Sequence, residues 1–358
     1  MALNFVNNIS LDHKSCDDFI FLIPDVGPLA TIKQRFPHFQ TIVCPSKRPF
    51  KRLMFEKFTL FKLYKKYDVK IVYTFFGAGL PHPPNILSLV SVAYPIICYD
   101  DSPYWKHVPL KLKIKQTLIN NLRISRLKKA DKIIVETTIM RDRLQKVLEN
   151  NKKDYIIQPP APTDFINYEK SNVLEKRSET VFLFLSGVAR HKNLWRLPEL
   201  ASRLSTFNFN FKFLITATES SFVAVLDSSQ NEFYLKTKEH FSFCGVLQPD
   251  EIQQAYMKSD FLVSLSDLES FSNNYMEAWK VGIPLIVSDR DFSRSICQQS
   301  ALYIEPHDSD MCSKQIFDFI NDFEKIEKNI KHGRELVGLL PTTFQKTKLT
   351  LDILSNFK

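Results

Sequence analysis

Long apolar runs are missing from this 358-residue chain, and so are the cysteine and histidine clusters that hold disulfides or metals. The longest candidate for a membrane span, residues 86–98, is too short to cross a bilayer and contains Pro95. The first residues lack a basic region followed by an apolar core, so no secretory signal is expected. The six cysteines, at 16, 44, 98, 244, 297 and 312, form no C-x-x-C pair. Several lie in strand-like apolar runs, and they read as reduced core residues of a cytoplasmic protein. The eight histidines form no H-E-x-x-H and no cluster with cysteine, so no protein-held metal is expected. Glycine is low, at 8 residues. No short-period repeat or low-complexity tract occurs.

The hydrophobic content of 44% suffices for full cores, and the length suggests two domains. Apolar runs recur in one rhythm through both halves. The first half has Phe19–Ile23, Thr41–Cys44, Lys70–Phe75, Pro95–Tyr99, Lys132–Glu136 and Tyr155–Ile157. The second has Thr180–Ser186, Phe211–Thr216, Phe241–Val246, Phe261–Leu265, Pro284–Ser288 and Leu302–Ile304. Helix-like patterns separate most of them, which predicts βαβ units and an α/β fold of two doubly wound, Rossmann-like domains. The polar, proline-bearing stretch 158–179 marks the boundary, and the tail after Pro341 reads as a helix.

The net charge of +9 is uneven. Residues 47–66 hold Lys47, Arg48, Lys51, Arg52, Lys57, Lys62, Lys65 and Lys66 against Glu56 alone. Residues 106–132 hold nine more cations against Asp131, with Leu110, Ile114, Leu118, Leu122 and Leu127 at roughly helical spacing. An ordinary core-facing helix with a solvated basic face fits this pattern. So does docking on an anionic membrane surface. Nucleic acid is not expected, because no nucleic-acid motif accompanies the charge.

The most informative segment is 260–289. Seven residues separate Glu269 from Glu277, in a strand–turn–helix–Gly-x-Pro–strand context closed by Gly282 and Pro284. One carboxylate stands at the mouth of a strand and the other lies one to two turns into the following helix. Both border the crevice where open α/β sheets bind ligands. A carboxylate accepts two strong hydrogen bonds from a ribose diol, and a second can hold sugar hydroxyls. The helix N-terminus between them offers free N–H groups to a diphosphate, with Ser270, Ser272, Asn273 and Asn274 as small polar neighbours.

Glu269, Phe271, Glu277, Ala278, Gly282 and Pro284 together resemble the signature of retaining GT-B glycosyltransferases of family four. Ser272 departs from it, standing where glycine is usual. The resemblance is good over 180–310 and loose in the first half. It implies two Rossmann-like domains facing across a cleft, with residues 1–165 binding the acceptor and 166–340 the nucleotide sugar. The C-terminal helix, 341–358, would cross back to the first domain. It also implies transfer of a hexose or N-acetylhexosamine with retention, without a required metal. The donor would be a nucleoside-diphosphate sugar, with UDP favoured over GDP because it is common.

The same resemblance distributes roles. Glu277 would hold the ribose diol and Glu269 the donor hexose. Phe271, Ser272, Asn273 and Asn274 would line the donor. The segment Gly187–Leu194 resembles the family's phosphate loop, which makes Lys192, then Arg190, the cations that stabilise the departing diphosphate. Val188 stands where many relatives have that arginine. Gly245 and Val246 would border the base. Gly27, Gly77 and Gly79 are weaker loop candidates for phosphate or acceptor. Asp100 and Asp101 stand where many relatives carry a histidine. They either orient the acceptor hydroxyl or form an ordinary turn. His107 is a further candidate. A lipid-linked glycan, as in bacterial surface polysaccharide assembly, is the expected acceptor, worked on from the inner face of the cytoplasmic membrane. A GT-B epimerase or a non-catalytic nucleotide-sugar-binding subunit is the alternative.

Overall fold

A computed structural model describes residues 2–11, 18–149, 153–164, 166 and 178–357. The chain forms two compact units. Unit 1 gathers Met1–Cys98, Ile114–Ala161 and Pro341–Lys358. Unit 2 gathers Tyr99–Lys113 and Pro162–Leu340. No single cut in the chain separates them, because the strap 99–113 groups with unit 2.

Unit 1 is built on parallel strands: β1 (Ile20–Pro24), β2 (Gln40–Cys44), β3 (Ile71–Thr74), β4 (Leu87–Val92), β5 (Lys132–Val135) and β6 (Asp154–Ile157). β1 pairs with β2, and the other four run side by side in chain order. Leu89, Val90, Val92, Ile133 and Ile134 are buried, as expected for parallel strands covered on both faces. The terminal helix, Thr343–Ser355, belongs to this unit. A Thr342–Gln345 capping box starts it, and Leu354 with Phe357 packs against Leu89 and Ile134. Thr350 Oγ1 also accepts from Gln158 Nε2 at 3.0 Å.

One expected strand is not there. Pro95–Tyr99 contains a single 3-10 turn, Pro95–Ile97, and the fourth strand lies earlier, at Leu87–Val92. Proline has no N–H for a ladder, and the Cys98 N–H turns back to the Pro95 carbonyl at 3.0 Å. Cys244 also departs from expectation: it is exposed, whereas Cys44, Cys98, Cys297 and Cys312 are buried. Cys16 lies outside the described residues. No helix among the described residues is long and apolar enough to cross a membrane.

Unit 2 holds one six-stranded parallel sheet: β7 (Thr180–Phe184), β8 (Phe211–Ile215), β9 (Phe241–Phe243), β10 (Phe261–Ser264), β11 (Leu285–Ser288) and β12 (Ala301–Ile304). The order is β9-β8-β7-β10-β11-β12, the doubly wound Rossmann order. Phenylalanine fills the core: Phe182, Phe184, Phe211, Phe213 and Phe222 are almost wholly buried. The winding reverses between β7 and β10, where Leu262 registers with Leu183. The crevice outside the C-terminal ends of these two strands is where such sheets bind ligands.

Candidate active site

Both expected donor motifs open at that switch point. The loop after β7 carries two 3-10 turns, Arg190–Lys192 and Leu194–Arg196, with Asn193 between them in the left-handed region at φ 56°. Asparagine tolerates that region better than most residues. Here its side chain is also anchored: Nδ2 donates to the Leu265 carbonyl at 2.9 Å and to Asp267 Oδ2 at 2.8 Å. The Asp267 N–H donates to the His191 carbonyl at 2.8 Å. The loops after β7 and β10 are therefore fastened to each other.

This fastening brings Lys192 and Glu269 together. Lys192 Nζ donates to Glu269 Oε1, and Ser266 Oγ donates to the same oxygen at 2.8 Å. The Lys192 side chain is about one-quarter exposed, at 24%, so a ligand can still reach the ammonium. Helix Asn273–Val281 begins just beyond, with buried Ser272 at its N-cap position and no side-chain capping bond from it. Asn274 Nδ2 donates to the Leu185 carbonyl at 2.6 Å, tying the helix start to the end of β7. Asn273 Oδ1 is buried without a hydrogen-bond partner among the described residues.

Gly282 ends this helix in the left-handed region at φ 86°, with its N–H on the Ala278 carbonyl at 2.8 Å. A side chain there would also press on the Arg334 guanidinium, 2.8 Å from the position of a Cβ. Glycine thus sets the helix length and the place of Glu277. Glu277 is buried at 6% exposure. Tyr256, on helix Pro249–Lys258, donates to its Oε2 at 3.0 Å, and Thr163 Oγ1 lies 3.4 Å from Oε1. Burial raises the carboxyl and the two hydroxyls lower it only in part, which leaves it pushed up to about 7.

Beneath the Lys192–Glu269 pair lies a charge network that sequence reading missed. Asp267 is buried, and Arg290 donates to its Oδ1 from Nη2 at 2.8 Å and to Glu305 Oε2 from Nη1 at 2.7 Å. His307 Nε2 lies 3.3 Å from Asp267 Oδ2. Burial pushes the Asp267 carboxyl up, but bonds from His307, Asn193 and Arg290 outweigh it and hold it below its ordinary value. The available signal was Asp267 itself, two residues before Glu269 at the mouth of a strand. Tyr256 and Thr163 had no signal, because their partner is far away in sequence.

The strap 99–113 lies on the same network. Ser102 Oγ donates to the Asp267 carbonyl at 3.0 Å. The His107 ring stacks on His307 at 5.2 Å and its Nε2 meets Arg196 Nη2 at 3.2 Å. Burial, then the Arg196 charge, holds the His107 imidazole below its ordinary value. The His107 carbonyl accepts from Arg190 Nη1 at 3.0 Å. Of the expected residues in this strap, His107 therefore reaches the phosphate-loop arginine, while Asp100 and Asp101 are exposed.

The remaining candidates scatter. Phe271 is half-buried, Gly187 exposed, and Val246 86% exposed beside Gly245, whose φ is 72°. Gly27, Gly77 and Gly79 belong to unit 1, where Gly27 and Gly79 have positive φ. Among the described residues no three His, Cys, Asp or Glu side chains gather as a metal site.

Residues 166–336 match the family model described as glycosyl transferases group 1. WaaG, a glycosyltransferase involved in lipopolysaccharide biosynthesis, has a similar fold: TM-score 0.68 at 14% identity, over 94% of this chain and 99% of that one. HepE from Anabaena, solved with UDP and glucose, gives 0.68 at 11% identity over 99% and 95%. Sucrose-phosphate synthase from Thermosynechococcus elongatus gives 0.67 at 15% over 90% and 84%. At such identities the likeness shows the fold alone, and that fold is GT-B. The family match and the fold together support a glycosyltransferase activity of the group 1 kind. No curated protein sequence matches the chain.

Proposed function

We propose that this protein is a retaining, metal-independent glycosyltransferase. It moves a hexose or N-acetylhexosamine from a nucleoside-diphosphate sugar to a hydroxyl of a lipid-linked glycan in surface polysaccharide assembly. The observation that carries this reading is the Lys192–Glu269 pair at the switch point of the unit 2 sheet, beside the N-terminus of helix Asn273–Val281.

A diphosphate entering there meets the Lys192 ammonium and the helix N–H groups, both preorganised by the loop fastening. Arg190 adds a second cation, held by the His107 carbonyl. The incoming phosphate competes with Glu269 for Lys192, which frees that carboxylate to accept from the donor sugar's hydroxyls. Glu277 takes the ribose diol. The HepE complex with UDP supports a uridine donor. Residues 1–165 take the acceptor, 166–340 the donor, and 341–358 form the terminal helix. The enzyme works peripherally at the inner face of the cytoplasmic membrane, without nucleic acid.

The test is a thermal-shift panel with UDP, GDP, ADP, CMP and dTDP on wild type and Glu277→Ala. A rise with one diphosphate that the variant loses supports the donor site and identifies the base. Equal shifts in both proteins would remove Glu277 from it. Anomeric analysis of the product then separates retention from inversion.

A further inference from the structure

Helix Pro49–Met54 runs through a π turn, Phe55–Thr59, into helix Leu60–Lys66, all within unit 1. Leu60 and Tyr64 point inward and are buried. No described residue covers the other side. Phe50 is 74% exposed, and Leu53, Met54, Phe58 and Phe61 are exposed as well. Their spacing of three or four residues puts them on one face. Isolated exposed apolar residues are ordinary, but five on one helical face are not.

The charges around this face have one sign. Lys47, Arg48, Lys51, Lys57, Lys62, Lys65 and Lys66 are exposed. The only acid of the segment, Glu56, is buried at 3% and takes Arg52 Nε at 2.5 Å and Arg126 Nη2 at 2.6 Å. Every exposed charge from 47 to 66 is therefore positive. The Lys57 ammonium lies 5.5 Å from the Phe58 ring, so a cation and a ring share one spot. Glu56 also fixes the segment to helix Leu110–Leu127, which exposes Ile114, Leu118 and Leu122.

We propose that this face docks on an anionic lipid surface. Phe50, Leu53, Met54, Phe58 and Phe61 enter the boundary between headgroups and acyl chains, and the lysines remain among the anionic headgroups. An interface of that kind takes apolar side chains and cations together. A second copy of the same face would bring like charges into contact. Nucleic acid would meet the lysines but leave Leu53 and Met54 in water, since bases stack on aromatic rings. The inference deepens the proposed reading by naming the membrane contact of an enzyme with a lipid-linked acceptor. Its test is independent of donor chemistry.

The test is co-sedimentation of the full chain with phosphatidylcholine vesicles, with and without about one-third phosphatidylglycerol. Two variants accompany it, Phe50→Ser/Phe58→Ser/Phe61→Ser and Lys51→Glu/Lys57→Glu/Lys62→Glu. Wild type is expected to sediment with the anionic vesicles only, about tenfold less at high salt. The phenylalanine variant is expected to lose about tenfold or more in partitioning, and the charge reversal to abolish it. Both should keep the wild-type melting temperature and response to UDP, because the changed side chains are exposed. The proposal is overturned if wild type stays in solution, or if the phenylalanine variant binds vesicles as wild type does. Self-association lost with the three phenylalanines, or tighter binding to an RNA or DNA probe than to vesicles, also overturns it. A wild-type protein that binds vesicles but no nucleotide would leave this inference standing and sink the donor reading.

Discussion

Glu277 carries a carboxyl that burial has pushed up to about 7, against an ordinary 4.5. In the folded chain it keeps its proton up to near neutrality, whereas in the unfolded chain it releases it near 4.5. Between those values the folded state binds more protons, so stability falls as pH rises through this window. The loss, of order 3 kcal/mol, is complete above it. Glu277→Gln should therefore raise the denaturation midpoint near pH 8, leave it almost unchanged near pH 4, and weaken nucleotide binding. Equal stability of the two proteins near pH 8 would mean that the buried carboxylate costs nothing. Tyr256→Phe removes a bond that lowers this carboxyl, so the pH profile of nucleotide binding should move to higher pH, which a purely structural role would not do. Lys192→Ala should cut turnover by about a hundredfold or more with little loss of fold, checked by initial rates and melting temperature. Glu269, Lys192 and Glu277 were legible in the sequence from spacing and context. Tyr256, Thr163, Arg290 and His307 were not, because nothing along the chain records which distant side chain a carboxylate will meet.

Elements were legible where local chemistry decides them. The short apolar runs of β10 and β11, bounded by turn residues, read as strands buried on both faces, and Gly282 marks a helix stop because it takes φ 86° without strain. Gly282→Ala should cost about 1 kcal/mol or more, since it adds left-handed strain to a contact with Arg334. Urea denaturation would measure it, and an unchanged midpoint would deny the cap its role. The reading failed at Pro95–Tyr99, inside an apolar stretch whose true strand is Leu87–Val92. The apolar side chains of 95–99 cannot replace the ladder N–H that proline lacks. The pattern of helix Leu110–Leu127 fits both a core-facing and a docking role, and Ile114, Leu118 and Leu122 are exposed.

Across the whole molecule, chain order and spatial grouping part company twice. The terminal helix joins unit 1, where Leu354 and Phe357 pack on Leu89 and Ile134. Deleting residues 341–358 should thus destabilise unit 1 by several kcal/mol through lost apolar burial, seen as rapid proteolysis within residues 18–161. A truncated chain as resistant as the full one would contradict this. The strap 99–113 joins unit 2, where Ser102 and His107 touch the Asp267 network. By itself the sequence determined the α/β class, eleven of the twelve strands among the described residues, the switch-point motifs and the uneven charge, because periodicity, caps and composition are local. Only the tertiary structure decided that Lys192 pairs with Glu269, that Tyr256 holds Glu277, and that Phe50, Phe58 and Phe61 face outward. Those facts depend on which surfaces the packing of distant elements covers, and no local pattern carries them.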